Sequence, residues 1–352
     1  MACKVDLSRK ENTYCIAPFL SPSVTPTGFK MCSAPCAKSF PTVDFWNGGY
    51  MKKIRQQWLD GIVPDDCEDC YLNADALICA EKIPTNSVTV PLNFKNLYLA
   101  RSNRCDLACE MCSADISHTY DKVHNGGKLG IVDNNFDLMP YLEETEAIAI
   151  SGGNPVLDHK INDIINALDS SKIKRFLITS NGSVFPDRML NNIINKKFKC
   201  NSLLIFSIDG PKEFNEKARL GTKQERVYKT ILKVLDKIKG EKNLTVCIEF
   251  TGTNKSIKHL IPLYEEIKLN LPLTEQGPYM IANKCSYPEH LGLQSTDEET
   301  WQHLQGETYR YFIKRKDKCR LAAEFFNMVN DYCYIVDKAR QRKIKYNADI
   351  SS

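Results

Sequence analysis

The residues most able to take part in chemistry are three cysteines, Cys105, Cys109 and Cys112, spaced as Cx3Cx2C. They follow directly on a short apolar run, residues 97–100, that is typical of a strand. Three thiolates on one loop can hold one face of an iron–sulfur cluster, which four cysteines normally ligate. One iron is then left without a protein ligand, and by analogy with catalytic zinc an open metal position is where chemistry occurs. The alternatives are three ordinary reduced thiols, or a zinc site completed by a nearby ligand such as His118.

Cysteines also cluster towards the N-terminus, where hydrophobic periodicity is weak. Gly28 lies between apolar residues and predicts a hairpin turn that returns Cys32 towards Cys15. A CxxC pair, Cys67 and Cys70, follows a predicted helix. Such a pair, preceded by another group of cysteines, is typical of a metal site.

Two metal sites are compatible with these N-terminal cysteines. One is a zinc-ribbon site that combines a Cx3C pair with the CxxC pair, namely Cys32, Cys36, Cys67 and Cys70. The other is a second iron–sulfur cluster with all four ligands from the protein, namely Cys15, Cys32, Cys67 and Cys70. Cys36 stays open as an alternative to Cys32 in this second site. We expect Cys3 and Cys79 to hold no metal.

The composition is that of an ordinary globular chain in a reducing compartment. Of 352 residues, 43% are hydrophobic and 26% are charged, and a net charge of +4 is too small by itself to indicate nucleic acid binding. No apolar run approaches the ~18 residues of a membrane span, and the first residues lack the apolar segment of a signal peptide. Fifteen cysteines at irregular spacing favour metal binding over a disulfide framework. We therefore expect a cytoplasmic protein that binds neither membrane nor nucleic acid.

From residue 96 onwards, strands and helices alternate in the sequence. The predicted strands are Asn96–Arg101, Ala147–Ser151, Arg175–Ser180, Ser202–Asp209, Leu244–Thr251 and Gly277–Ala282. Apolar residues at helical spacing predict amphipathic helices over residues 161–168, 227–238 and 256–269, and a further helix over 45–59. Six strands alternating with helices imply a parallel sheet with right-handed crossovers. The cysteine triplet follows the first of these strands.

The triplet resembles the signature of the radical S-adenosylmethionine (SAM) enzymes, in which the iron without a protein ligand binds the amino and carboxylate groups of the cofactor. Six strands is also the number in the partial (β/α)6 barrel of that family, and in such barrels ligands gather where strands end. The resemblance implies that Cys105, Cys109 and Cys112 hold a [4Fe–4S] cluster. It also implies that Met111, between the last two cysteines, contacts the cofactor.

The end of the second predicted strand adds to this resemblance. Gly152, Gly153 and Asn154 resemble a Gly-Gly-Glu-Pro element whose acid holds the ammonium group of the cofactor. Asn154 stands in place of that acid. Its amide oxygen can accept the same hydrogen bond, but charged hydrogen bonds are roughly twice as strong. We therefore expect weaker cofactor binding, or a compensating acceptor elsewhere.

The third and fourth predicted strands end in similar polar runs. Ser180 and Asn181 lie in a Thr-Ser-Asn-Gly run that resembles the Thr-Asn-Gly element of the family, where small polar side chains face the active site. Ser207 opens a Ser-Ile-Asp-Gly-Pro run similar to that of SPASM-type enzymes such as anaerobic sulfatase maturases, in which the serine contacts the cofactor. Arg219 suits the cofactor's carboxylate because a guanidinium binds carboxylates bidentately. The alternatives are a surface role for Arg219 and a helix-capping role for Asp209.

One carboxylate is a candidate for proton transfer. Glu249 lies amid apolar residues in the fifth predicted strand, on the same face as Cys247. If that face points into the barrel, burial would raise the pKa of Glu249 and suit it to accept a proton. The alternative is an outward, solvated charge. We expect Cys247 to pack in the core.

The N-terminal segment resembles the twitch and SPASM modules, which hold auxiliary iron–sulfur clusters. The resemblance rests on Cys-x-x-Pro-Phe at residues 15–19, Phe-Trp-Asn at residues 45–47, Ile54-Arg55 and the CxxC pair after Gly61. It implies a second [4Fe–4S] cluster on Cys15, Cys32, Cys67 and Cys70.

The alternating elements predict an α/β chain, and the resemblance implies that it has three parts. Residues 1–92 form a small cysteine-rich auxiliary-cluster module, residues 93–290 a partial (β/α)6 TIM-type barrel, and residues 291–352 a C-terminal helical extension. Cys285, in a loop after the sixth strand, either lines the substrate opening or is an ordinary loop thiol.

The resemblance implies an oxidoreductase or peptide-modifying enzyme. It would cleave SAM reductively to a 5′-deoxyadenosyl radical and abstract a hydrogen atom from a peptide or protein side chain. Its partners would be SAM, that substrate and a low-potential electron donor such as flavodoxin or ferredoxin. One alternative is a dehydrogenase of a small metabolite, with the auxiliary cluster as electron acceptor. Another is a zinc-ribbon binding module on a degenerate barrel, with Asn154 as a sign of lost activity.

Overall fold

The computed structural model describes residues 14–34, 37–67, 79–80, 83–272, 274, 276–284 and 291. The strands in these residues are β1 Tyr14–Cys15, β2 Ser23–Thr25, β3 Gly28–Lys30, β4 Ser39–Phe40, β5 Cys79–Ala80, β6 Asn96–Leu99, β7 Ala108–Cys109, β8 Ala147–Ile150, β9 Arg175–Ser180, β10 Ser202–Ser207, β11 Arg219–Leu220, β12 Leu244–Gly252 and β13 Tyr279–Lys284. The α-helices are Ala17–Leu20, Gly49–Leu59, His118–His124, Lys160–Ala167, Asp187–Lys196, Lys212–Ala218, Gln224–Lys237 and Leu260–Asn270. Short 3-10 helices cover Val43–Asn47, Met139–Glu144, Pro155–Leu157 and Ile257–His259.

The chain divides into two compact units. The first comprises residues 1–105, 114–178 and 195–200, and the second comprises residues 106–113, 179–194 and 201–352. One boundary falls directly after Cys105, so that this cysteine belongs to the first unit while Cys109 and Cys112 belong to the second.

The sheet of the first unit is parallel at its centre. Strands β9, β8, β6 and β2 lie side by side in this order with parallel pairing. Strand β2 then forms an antiparallel hairpin with β3, which pairs with β4. The hairpin turn predicted at Gly28 is confirmed. Its φ is +149°, and a Cβ there would overlap the backbone carbonyl of Phe40, so only glycine fits.

Side chains alternate between the two faces of this sheet. Leu97 and Leu99 of β6 and Ile148 and Ile150 of β8 are 0–1% exposed, whereas Tyr98 between the first two is partly exposed. Burying each such aliphatic side chain contributes about 1.5–3 kcal/mol to folding. One face of β6 therefore lies in the apolar core, and the strand ends directly before the segment that leads to Cys105.

The second unit contains three parallel strands in the order β10, β12 and β13. One face carries Val246, Ile248 and Phe250 of β12, which have no exposed surface. The opposite face carries Ser207 and Glu249, which lie directly opposite each other in the β10–β12 register. Parallel strands of this kind end at the same edge, where binding residues of α/β proteins collect.

The predicted elements agree closely with the structure. All six predicted strands are present as β6, β8, β9, β10, β12 and β13, with ends within two residues of the prediction. The predicted helix over 45–59 begins later, at Gly49, because a 3-10 helix, Val43–Asn47, precedes it. The chain is therefore α/β with a mostly parallel sheet, while its closure into a partial barrel stays a prediction.

Two further expectations concern the ends and the surface of the fold. Except for Leu291, the predicted C-terminal helical extension lies outside the described residues, as does Cys285. Among the described residues, none of the helices combines the length and apolar character that crossing a bilayer requires.

Candidate functional site

In the first unit, the backbone around Cys105 is fixed by its neighbours. The backbone N–H of Cys105 donates to Nδ1 of His118 at 3.1 Å, and Oγ1 of Thr119 donates to the carbonyl of Cys105 at 2.5 Å. The side chain of Asn103, which has no exposed surface, accepts from the N–H of Val132 and donates to the carbonyl of Gly130. His118, considered from the sequence as a zinc ligand, thus uses its Nδ1 to position the backbone of Cys105.

The glycine-rich loop after β8 packs on the same segment. A Cβ on Gly153 would overlap the backbone carbonyl of Arg104, and one on Gly152, whose φ is +106°, would lie 3.1 Å from Cα of Ala100. The N–H of Asn154 donates to the carbonyl of Arg104 at 2.6 Å. The two glycines therefore let this loop contact the residue before Cys105, an approach that side chains would prevent.

Asn154 itself is completely buried, with 0% of its surface exposed. Its carbonyl accepts from the N–H of Leu157 at 2.9 Å, which begins the 3-10 helix Pro155–Leu157. The predicted role of its amide as a cofactor ligand stays a prediction.

In the second unit, the other two cysteines of the triplet lie on a loop that is paired to a second segment. Strand β7 pairs antiparallel with β11, and Cys109 lies opposite Arg219. The N–H of Glu110 donates to the carbonyl of Ala218 at 2.7 Å, and the N–H of Cys112 donates to the carbonyl of Cys109 at 3.0 Å. Cys109 is buried, whereas Met111 and Cys112 are partly exposed.

The polar turn after β9 also contacts this loop. Nδ2 of Asn181 donates to Oδ1 of Asp106 at 2.7 Å, and Oδ1 of Asn181 accepts from the N–H of Ser183 at 2.9 Å. Oγ of Ser180 accepts from the N–H of Gly182, whose φ is +75°. Asn181 therefore joins the turn to the residue that directly follows Cys105. The sequence did not indicate this contact, because the cysteine spacing says nothing about the partner of Asp106, which lies 75 residues away.

Arg219 is buried beside Cys109. Its Nε lies 2.6 Å from Oδ2 of Asp209, and its Nη1 donates to Sγ of Cys109 at 3.9 Å. Burial by itself lowers the pKa of Arg219, but the negative charges of Asp209, Cys109 and Glu249 outweigh burial and hold that pKa above its usual value. The guanidinium is thus a permanent cation next to a cysteine of the triplet.

This arrangement corrects two alternatives drawn from the sequence. Arg219 is 8% exposed and so is no surface arginine at a helix start. Asp209 does not cap the helix Lys212–Ala218, whose N-cap is Pro211 and has no side-chain hydrogen bond. Instead, Oδ1 of Asp209 accepts from the N–H of Thr251 at 2.8 Å, and Oδ2 pairs with Arg219, because a buried carboxylate is best stabilised by a buried cation.

Glu249 lies on the face of β12 opposite to that of Ile248 and Phe250. Oγ of Ser207 donates to Oε2 of Glu249 at 3.4 Å, and Glu249 is partly exposed. Cys247, two residues earlier, is 4% exposed, which confirms that it packs in the core. The catalytic role of Glu249 and the cofactor contact of Ser207 stay predictions.

Three of the N-terminal cysteines border a single hydrophobic cluster of the first unit. Cys67 is part of this cluster, and Cys15 and Cys32 pack against it. The centre of the cluster consists of large buried side chains, among them Trp46, Met51, Ile54 and Trp58. Cys36 and Cys70 lie outside the described residues.

The ladder between β1 and β5 brings another cysteine to this region. The register places Cys79 directly opposite Cys15 in antiparallel pairing. Cys79 was expected to hold no metal, and Cys3 lies outside the described residues.

Two polar residues of the same region have perturbed acid–base properties. Burial and the hydrogen bond that Tyr50 donates to Asp66, together with the nearby thiolates of Cys67 and Cys32, raise the pKa of Tyr50 above its usual value. Burial lowers the pKa of Arg55 to about 10. Arg55 has no exposed surface and stacks over Trp46 at 4.4 Å.

The residues of the triplet have the donor chemistry of an iron–sulfur cluster, since thiolates are its usual ligands. Among the residues that the structure describes, no group of three or more His, Cys, Asp or Glu side chains has the geometry to hold one metal ion. This finding concerns a single ion, whereas the thiolates of a four-iron cluster bind different irons.

Comparison with known proteins gives one family match. The family model described as the Radical SAM superfamily matches residues 99–261, a range that begins in β6 and contains the whole cysteine triplet. No curated protein gives a significant match.

The solved structures similar to this chain at low identity include the following three. Native anSMEcpe with bound AdoMet is 17% identical with a TM-score of 0.41, covering 62% of this chain and 60% of that chain. Streptococcus suis SuiB bound to S-adenosylmethionine is 14% identical with a TM-score of 0.41, covering 80% and 64%. SuiB bound to precursor peptide SuiA is 15% identical with a TM-score of 0.42, covering 80% and 63%.

The chain matches less than two thirds of the length of each of these structures. Identities and TM-scores this low do not indicate a shared function. The family match is independent of them. It covers residues 99–261, less than half of the chain, and over this range the chain is similar to the Radical SAM superfamily.

Proposed function

We propose that this chain is a radical SAM enzyme. The observation that carries the proposal is the position of the cysteine triplet inside the matched domain, directly after its first strand, β6. A [4Fe–4S] cluster and SAM, held by residues of this chain, would supply reductive cleavage of SAM and abstraction of a hydrogen atom from a substrate. The protein's own part is to hold, orient and shield these groups from water.

The cluster would be held by Cys105, Cys109 and Cys112. Support comes from the backbone contacts of two of them. Cys105 is held by His118 and Thr119 in the first unit, and Cys109 is paired with β11 in the second. Ligands on a fixed backbone need little reorganisation when a metal group binds.

SAM would be bound by residues at the ends of the parallel strands. In the first unit these are Gly152, Gly153 and Asn154, which follow β8, and the two glycines let this loop lie against the backbone that leads to Cys105. In the second unit they are Met111, Ser180, Asn181, Ser207 and Arg219. Two of these, Asn181 and Arg219, already contact the segment that carries Cys109, through Asp106 and through Cys109 itself.

Glu249 would accept a proton from the substrate. Its carboxylate lies on the partly exposed face of β12, next to a hydroxyl donor, Ser207, and in the field of the permanent cation Arg219. A carboxylate within hydrogen-bond reach of a substrate proton can serve as a general base. The nature of the substrate decides whether such a base is needed.

A second [4Fe–4S] cluster would be held by Cys15, Cys32, Cys67 and Cys70. The three of these that the structure describes all border one hydrophobic cluster, which gives them a common, water-poor surrounding. Such a cluster could carry an electron to or from the substrate radical. With this auxiliary cluster, we propose a peptide or protein side chain as the substrate and a low-potential protein such as flavodoxin or ferredoxin as the electron donor.

The test is anaerobic reconstitution with iron and sulfide, followed by incubation with SAM and a strong reductant. We expect 5′-deoxyadenosine, detected by mass spectrometry, from the native chain and none from Cys109→Ala. Cys200→Ser is the control, because Cys200 belongs to neither group of cysteines. A colourless, iron-free native protein, or equal product from Cys109→Ala, would contradict the proposal.

A further inference from the structure

The side chain of Arg219 makes two contacts within the second unit that its predicted role does not require. Nη1 donates to the sulfur of Cys109, and Nε forms a 2.6 Å ion pair with Asp209. The backbones of Arg219 and Cys109 are also opposite each other in the β7–β11 ladder. Arg219 is thus tied to this cysteine by both its backbone and its side chain.

Asp209 is held rigidly in turn. It has no exposed surface, its Oδ1 accepts from the N–H of Thr251, and its own N–H donates to Oδ1 of Asn215 at 2.9 Å. Nδ2 of Asn215, also without exposed surface, donates to Oε1 of Gln224 at 2.5 Å. The carboxylate that orients Arg219 therefore cannot turn away without breaking its hydrogen bond from Thr251 and its ion pair with Arg219.

The hydrogen-bonded chain continues to the surface of the unit. Nε2 of Gln224 donates to Oε1 of Glu266 at 3.1 Å, and the hydroxyl of Tyr228 donates to the same oxygen at 2.8 Å. Oε2 of Glu266 accepts from the N–H of Lys212, at the start of a helix. A line of five polar side chains thus leads from Cys109 to this helix, and all its members belong to one unit.

Placing an ion pair in a buried position costs free energy, because both charges lose water. A hydrogen bond and a positive charge directed at a cluster sulfur make reduction of the cluster easier, since the reduced cluster carries one more negative charge. The interaction is strong only where water is excluded, as it is around Arg219 and Asp209. The geometry therefore matches a device that adjusts the reduction potential.

We propose that Arg219 donates to the thiolate of Cys109 in the cluster-bound protein and raises the reduction potential of the SAM-binding cluster, and that Asp209 is the positioning residue that keeps Arg219 there. This proposal rests on the proposed function, since it needs the cluster on the triplet. It differs from a role in holding the carboxylate of SAM, because it acts in the absence of SAM.

The test is a redox titration of the reconstituted full chain, without SAM, followed by electron paramagnetic resonance. The auxiliary cysteines Cys15 and Cys32 are replaced by Ala in every sample, so that only the cluster of the triplet contributes to the signal. Arg219→Gln should make reduction about tenfold less favourable, a shift of ~59 mV to more negative potential. Arg219→Lys keeps the charge but lacks the planar guanidinium that can contact Cys109 and Asp209 at the same time, and it should shift the reduction potential by less.

The matched control is Lys255→Gln. Lys255 pairs with Glu110 on the same loop as Cys109, but both side chains are exposed, so that water screens the charge. We expect Lys255→Gln to change the reduction potential of the cluster by less than a third of the change that Arg219→Gln causes. The role of Asp209 is tested by making Arg219→Gln in a protein that already carries Asp209→Asn. There, the change in reduction potential caused by Arg219→Gln should be at most half as large, because Asp209 no longer holds the arginine at the sulfur.

Other results would overturn the inference. If Arg219→Gln keeps the native potential and only weakens SAM binding, Arg219 serves the cofactor alone. If Arg219→Gln and Arg219→Lys both fail to hold iron while Lys255→Gln holds it, the role is structural. An undiminished shift in the Asp209→Asn background removes the positioning role of Asp209. Failure of the unsubstituted triplet to bind iron would instead refute the proposed function.

Discussion

Glycine at position 153 lets the loop after β8 contact the backbone just before Cys105. A side chain there has no space, because its Cβ would overlap the carbonyl of Arg104. Backbone carbonyls have no flexible end that can move aside, so the whole loop must shift. Glycine at this one position therefore determines how closely the loop after β8 approaches the segment that leads to Cys105.

Gly153→Ala should lower the free energy of unfolding by about 1–3 kcal/mol, as overpacking does elsewhere, and weaken SAM binding. Urea unfolding and calorimetric titration with SAM measure the two effects. Gly49→Ala is the control, because a Cβ at Gly49 meets no atom within 4 Å, and alanine there should be neutral or slightly stabilising in the helix Gly49–Leu59. Equal stability and SAM affinity in both variants would contradict the close contact.

Asn154 offers a second test at the scale of one residue. Asn154→Glu places a carboxylate in a position with no exposed surface, which should cost the SAM-free protein about 1–3 kcal/mol or more. If the side chain faces the ammonium of SAM, the new charge should strengthen SAM binding, so that SAM raises the melting temperature more than in the native protein. An equal or smaller rise would show that Asn154 does not face the cofactor. Thermal unfolding with and without SAM distinguishes these outcomes.

At the scale of elements, the helix Gly49–Leu59 joins several N-terminal segments through one buried cation. Nε of Arg55 donates to the carbonyl of Pro18, while Nη1 donates to the carbonyl of Val88 and to Oδ1 of Asn47. No ion pair of Arg55 with a carboxylate occurs among the residues that the structure describes. Hydrogen bonds and the ring of Trp46 therefore stabilise this charge.

Arg55→Met should destabilise the protein by about 2–4 kcal/mol, because buried oxygens lose their donor, although removal of a buried charge offsets part of the loss. Chemical unfolding gives the value. Lys53→Met on the same helix is exposed and should change stability by about 0.5 kcal/mol or less. If Arg55→Met has the same free energy of unfolding as the native protein, the hydrogen bonds that Arg55 donates make no net contribution to stability.

The segment before Cys105 should be sensitive to acid. Burial by itself raises the pKa of Asp133, but hydrogen bonds from Arg104 and Ser102 outweigh it, so that this pKa lies below its usual value. A carboxyl group with a lowered folded-state pKa adds stability above its unfolded pKa of about 3.9, and that stability is lost as pH falls through the folded value.

We therefore expect the free energy of unfolding to fall below about pH 4, with a smaller fall in Asp133→Asn. Urea unfolding at pH 5, 4 and 3 measures the slope. Asp65→Asn is the control for the substitution itself, since Asp65 is exposed and its replacement should change stability at pH 7 by about 0.5 kcal/mol or less. An identical slope in Asp133→Asn and the native protein would show that the contact with Arg104 does not contribute.

At the scale of the whole molecule, the two proposed clusters should be separable by mutation. The native chain should bind about eight irons after reconstitution, and Cys15→Ala and Cys109→Ala about four each, since each variant loses one [4Fe–4S] cluster. Iron and sulfide analysis gives the counts. Stoichiometric zinc in place of iron at the N-terminal cysteines would favour the zinc-ribbon alternative, and loss of all iron in Cys15→Ala would contradict independent sites.

The sequence predicts the central strands well because their residues carry the signal themselves. Alternating or continuous apolar runs such as those of β8 and β12 locate strands without knowledge of their neighbours. The two-residue strands β7 and β11 could not be predicted, because their pairing joins residues 109 and 219, and neither shows periodicity. Asp209 looked like a helix cap for the same reason: its partner Arg219 is apparent only once the chain has folded.

The sequence identifies a candidate site where a motif has fixed spacing, as at Cys105, Cys109 and Cys112, whose role as cluster ligands stays a prediction. The site was not predictable where a contact joins separate motifs, as between Asn181 and Asp106 or between His118 and the backbone of Cys105. Such contacts depend on tertiary packing. The spacing of residues along the chain contains no information about them.

The hairpin of β2 and β3 continues the same sheet that contains β6, with Val24 opposite Leu99 and the N–H of Ala100 donating to the carbonyl of Val24. A shortened chain that starts near residue 93 would leave that side of β6 without its partner strand. Unpaired strand edges invite pairing between molecules, and such a fragment should therefore self-associate or precipitate. Anyone seeking to produce the matched domain by itself would do better to retain residues 14–92.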